Sequence, residues 1–228
     1  MRTTRSFRTK LAAVASIGLI AVGASACGDD ADSGSTSSSS SSKSAPKPVA
    51  ALDAVQGKST AIKLDKGFTD ALTTLKLTPG VTGDGQLTDD GSLVFPITGG
   101  NVTVFKPGEV SPYVIGQLQH VTSGLTLTAG DTTVKLSNFN VDPGVSRVYG
   151  DVEVNGASAA KSAFLFQLDG RTLEPLKTEG TDAILTGTKV EISPDAAALL
   201  NDTFKTDAVT AGLLVGIATI TVDTTAGA

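Results

Sequence analysis

Cysteine, histidine and tryptophan are nearly absent from this chain of 228 residues: one Cys, one His and no Trp, with two Tyr and eight Phe. Each shortage removes a class of function. A zinc site takes several His or Cys ligands, and the chain cannot supply them. A Ser-His-Asp triad would have to use His120, and the G-x-S-x-G turn that presents a nucleophilic serine does not occur after Cys27. The lack of Trp argues against a carbohydrate platform of stacked rings. Phosphate loops of Walker or Rossmann spacing are missing too. With no cysteine after Cys27, the chain folds without disulfides.

That single cysteine ends the one long apolar run. Arg2, Arg5, Arg8 and Lys10 open the chain, residues 11–23 are apolar, and Ala24, Ser25 and Ala26 are small. A charged start, an apolar core of about 7–15 residues and a small-residue cleavage site define a secretory signal peptide. The run is shorter than the roughly 20 residues of a membrane span. Residues 24–27 resemble a bacterial lipobox, which predicts that residues 1–26 are removed and that Cys27 is acylated. Ordinary cleavage after Ala24-x-Ala26 is the alternative and would give a freely secreted protein. The expected location is the outer face of the cytoplasmic membrane, with the bilayer as partner through Cys27.

Removing the leader takes four of the 18 basic residues and leaves 14 against 23 acidic, a net charge of −9. Nucleic-acid binding needs a basic face, so that partner class is excluded. Basic clusters for anionic headgroups are missing as well. Residues 27–50 are rich in Ser with Pro46 and Pro48 near the end. This composition predicts a disordered linker reaching roughly 25–30 Å. Residues 51–228 form one domain by length.

Within that domain Ile62 and Leu64 alternate as a strand. Asp65 is a helix cap, and Phe68, Ala71, Leu72 and Leu75 fall at helical spacing over residues 66–76. Pro79-Gly80 is expected to end the helix. Strands are predicted at 92–97, 102–105, 113–118, 125–128, 132–141, 148–154, 164–168, 183–192 and 213–222, with a loop at 106–112. The inward phase slips from Val134 and Leu136 to Phe139 and Val141, which predicts a β-bulge at Ser137–Asn138. Phe164, Phe166 and Leu168 are read as one inward face. Ser193-Pro194-Asp195 starts a second helix with Ala197, Leu200 and Phe204 inward. The fold class is mainly β (α+β), an antiparallel β-sandwich with two short helices.

Asp151 and Glu153 share one strand face with Tyr149 and Asn155. Carboxylates so placed can do acid–base work on glycosides, although alternation with valines describes a solvated sheet face. Asp84, Asp89 and Asp90 lack the spacing of a calcium loop and read as hairpin chemistry.

Residues 95–100 (Phe-Pro-Ile-Thr-Gly-Gly) and 116–125 (Gly-Gln-Leu-Gln-His-Val-Thr-Ser-Gly-Leu) resemble the HtaA-type envelope domains of actinobacteria. The resemblance extends over residues 65–222. It implies a β-rich domain that binds haem at the cell surface, with a tyrosine from an early helix as iron ligand and a histidine supporting it. His120 falls at the supporting position. Residues 66–76 contain no tyrosine, so the ligand would have to be Tyr113 or Tyr149, tyrosinate being a known haem ligand.

Three functions follow as expectations. The first is a non-catalytic surface lipoprotein, without a cofactor, that binds or organises an envelope ligand or protein. The second is a haem-binding HtaA-like module using His120 with Tyr113 or Tyr149. The third is an envelope hydrolase working with Asp151 and Glu153.

Overall fold

The computed structural model of the chain describes residues 44–225. The predicted signal peptide, Cys27 and most of the predicted Ser-rich linker lie outside the described residues. One sheet dominates the domain. Its strands are β1 (Ala50–Leu52), β2 (Gln56–Leu64), β3 (Thr78–Thr82), β4 (Gln86–Leu87), β5 (Ser92–Pro96), β6 (Gly99–Val104) and β7 (Val114–Ala129). They continue with β8 (Thr132–Asp142), β9 (Arg147–Val154), β10 (Ala157–Asp169), β11 (Lys177–Glu179), β12 (Asp182–Ile192) and β13 (Leu214–Asp223). Helix α1 (Lys66–Thr74) follows β2, and α2 (Pro194–Phe204) follows β12.

Neighbouring strands run in the order β1-β6-β7-β8-β9-β10-β12-β13-β2-β5-β4, all antiparallel, with β3 on β7 and β11 on β12. The sheet curls so that its two inner faces meet. Phe95 of β5 packs edge-on against Phe139 of β8 at 5.2 Å between ring centroids, and Phe139 against Phe166 of β10 at 6.3 Å. Strand twist accumulates over so many strands, and the Thr98 amide donates to the Gln119 carbonyl at 2.8 Å where the sheet returns towards β7. The sandwich is one sheet folded over itself.

Both helices begin where the sequence places them. Asp65 Oδ1 accepts from the Gly67 amide at 2.7 Å. Ser193 Oγ accepts from the Ala196 amide at 3.0 Å and donates to the Phe164 carbonyl at 2.6 Å. Phe68 and Leu72 of α1 and Ala197 and Leu200 of α2 are buried, while Phe204 is only half-buried.

Three local expectations are corrected. Pro79 and Gly80 do not simply end the helix; they lie in β3, whose one partner is β7, and the missing proline N–H is tolerated on such an edge. The strands expected at 113–118 and 125–128 are one, the single 16-residue β7, which begins after Tyr113. Its register shifts between His120 and Gly124, opposite the predicted bulge in β8 between Ser137 and Asn140. Thr122 (φ 68) and Asn138 (φ 55) carry the left-handed backbone, and Asn138 Oδ1 accepts from the Thr122 amide at 3.1 Å.

The third concerns Phe164. A bulge between Phe164 and Phe166 turns Phe164 outward, against Tyr149 and beneath the Arg147 guanidinium. Leu165 takes the interior instead and is 1% exposed. Gly150 makes room for it, since a Cβ there would press on the Leu165 and Phe139 side chains.

Candidate functional site: an apolar cavity inside the curled sheet

The registers give the sheet two unlike ends. At one end lie both helices, after Leu64 and after Ile192. Phe68, Leu72, Leu77, Leu127, Ile192, Leu200 and Val209 fill it. At the other end lie Ala50, the loop between β6 and β7, the β8–β9 turn and the β10–β11 loop. Among the described residues no helix covers this second end.

Between the filled end and the open one is a cavity of about 770 Å³. Leu93, Phe95, Leu118, Leu125, Phe139, Val141, Val148, Phe166, Val190, Val215, Ala218 and Ile220 form its walls, with Tyr113, Asp169, Arg171 and Leu176 towards the opening. Ligand sites usually measure about 300–1,000 Å³, mostly apolar with a few polar groups. Alternation explains the wall: each strand sends every second side chain inward, and these are Leu, Val, Ile and Phe.

The polar feature of the interior is His120. It is 1% exposed, and its Nε2 shares a hydrogen bond of 2.9 Å with Thr60 Oγ1, also on the wall. Its Nδ1 has no hydrogen-bond partner of normal geometry. Burial pushes the imidazole pKa down to about 4, with slight opposition from the Phe139 backbone across the ladder. The ring is therefore neutral at physiological pH.

The sequence-derived candidates separate. His120 and Tyr113 line the same cavity, and burial raises the Tyr113 pKa. Tyr149 alternates with the inward Val148 and lies on the outer face, its ring 6.0 Å from that of Phe164. Asp151 and Glu153 are also on that face and each meets its own lysine. Asp151 accepts from Asn138 Nδ2 at 3.0 Å and from Lys161 at 2.9 Å, and these contacts lower its pKa. Glu153 pairs with Lys135 at 3.1 Å. Asp151, held ionised by its neighbours, is a poor proton donor, and each of the two carboxylates pairs with a lysine rather than with the other.

Asp84 and Asp90 serve turns: Asp84 accepts from Thr122, and Asp90 from Thr88 and Ser92. Among the described residues no group of three or more His, Cys, Asp or Glu side chains is placed to hold a metal ion. Among them, too, no helix is long and apolar enough to cross a membrane.

No protein-family model matches the chain, and no curated protein is similar to it. Solved structures are. The C-terminal domain of HtaA from Corynebacterium glutamicum is 13% identical, and the match covers 76% of this chain and 98% of that one with a TM-score of 0.50. The haem-binding protein HtaB from the same organism is 10% identical over 76% of this chain and 96% of that one, with a TM-score of 0.46. At such identity the first likeness speaks for the fold, and the fold is what it establishes: residues 44–225 form an HtaA-like β domain.

Proposed function

We propose that the domain is a non-catalytic binding module that carries a large, mainly apolar ligand inside its curled sheet, outside the cell on a lipid anchor at Cys27. The cavity of about 770 Å³ carries this reading. Its aliphatic and phenylalanine walls favour acyl chains or fused rings through the hydrophobic effect. His120 and Thr60 give the ligand one polar point of reference.

Haem is the second reading, favoured by Tyr113 and His120 lining the same cavity. The residues do not fit ligation from the early helix, because α1 carries no tyrosine and its buried Phe68 and Leu72 pack into the filled end. Tyr113 would have to serve in its place.

Titration of the purified domain with a fluorescent long-chain fatty acid and, separately, with haemin tests both readings. Ala218 is 4% exposed on the wall, so Ala218→Phe fills the space. Saturable fatty-acid binding that Ala218→Phe weakens supports the apolar-ligand reading. A Soret band that Tyr113→Ala abolishes moves the protein to haem capture. Failure to bind either probe sinks both.

A further inference from the structure

We propose that the open end of the sheet is a membrane-docking rim, seated on a lipid bilayer so that the cavity mouth meets the lipid. This rests on the lipid anchor and apolar cavity proposed above. Three observations converge on it.

The first is where apolar side chains are left in water. Six large hydrophobic residues are exposed among those described: Val49, Leu87, Ile115, Val121, Val145 and Leu176. Four of them belong to the open end. Val49 precedes β1, Ile115 opens β7, Val145 is in the β8–β9 turn, and Leu176 lines the mouth itself. They come from four separate segments of chain, so sequence proximity does not explain the clustering. Apolar side chains gathered at one end of a fold are what a contact surface would present.

The second is where the tether arrives. Ala50, the last residue of the sequence-predicted linker, lines the cavity and pairs with Val104 at this end. The predicted linker therefore joins the domain at this rim, and a lipid anchor at Cys27 would tether the domain by its open end.

The third is charge. Three basic groups near the mouth are locally matched, Arg171 to Asp169 at 2.8 Å, Lys177 to Glu174 at 2.8 Å and Lys106 to Glu109 at 3.7 Å, while the Arg147 guanidinium is held over the Phe164 ring. Seating on the bilayer is therefore driven by apolar burial, on zwitterionic lipid, and resists salt.

The test uses the domain from Ser44 onward, which holds the whole core from Val55 to Val222 and forms one compact unit. It is floated with phosphatidylcholine vesicles at low and high salt. The double variant Val145→Asp with Leu176→Asp is expected to cut the vesicle-bound fraction by about tenfold or more. Leu87→Asp, far from the rim, is expected to leave it unchanged, as is raising the salt. Fatty-acid binding without vesicles reads the cavity separately, so its failure would sink the carrier reading while docking stands. No vesicle binding by the unsubstituted domain, or equal loss with Leu87→Asp, overturns the proposal and leaves the rim to a protein partner.

Discussion

His120 Nε2 and Thr60 Oγ1 lie 2.9 Å apart on β7 and β2, two strands that are not hydrogen-bonded neighbours in the sheet. The bond ties together parts of the curl that the ladder does not join directly. Both residues are buried, so neither group has water to fall back on. Thr60→Val removes the imidazole's hydrogen-bond partner and is expected to cost about 1–3 kcal/mol. Thr60→Ser should recover part of it. Urea unfolding of both variants checks this, and an unchanged midpoint in Thr60→Val would count against the bond.

The same histidine makes stability depend on pH. Its folded pKa, about 4, lies below the ordinary 6.5. The unfolded chain therefore binds more protons between those values, and stability falls as pH drops from 6.5 towards 4. The contribution amounts to on the order of 3 kcal/mol. Unfolding midpoints across that range should drop more steeply in the native sequence than in His120→Leu, from which this titration is missing.

Ser193 joins α2 to β10 through one hydroxyl that accepts from Ala196 and donates to Phe164. Ser193→Ala is expected to lose about 1–2 kcal/mol, the usual cost of removing a helix cap. Thermal melting read by circular dichroism measures it. Ser193→Thr keeps the oxygen and should lose less.

Gly83 has a φ of +63°, and a Cβ there would run into the Thr122 carbonyl beside the β7 bulge. The obstacle is backbone and cannot rotate away. Gly83→Ala is expected to destabilise by more than about 2 kcal/mol, whereas Gly130→Ala, in an open turn, should cost less. Parallel denaturation of the two variants separates crowding from the shared left-handed backbone.

Legibility from sequence followed the range of the interaction. Asp65 and Ser193 were readable as caps because a cap is settled within four residues. The bulge at Asn138 was readable because it reverses the inward phase of its own strand. Phe164 was misread because Phe164, Phe166 and Leu168 alternate cleanly, and only pairing with β9 reveals the slip that puts Leu165 inside. Val134, Leu136, Phe139 and Val141 were read as inward, and they are. How far apart the two inner faces stand depends on the curl of the whole sheet, so packed core and cavity look the same in the sequence. The buried state of His120 was hidden likewise, since Thr60 is sixty residues away.

A domain whose interior is partly space keeps some of its folding stability in whatever fills that space. A ligand that binds only the folded form raises stability by mass action, and an empty copy opens more often. If the domain carries a ligand outside the cell as proposed, occupancy would set lifetime: among envelope proteases, unloaded copies would be cut first and loaded ones would persist. Turnover of the protein would then be a gauge of ligand supply, with no separate sensor required.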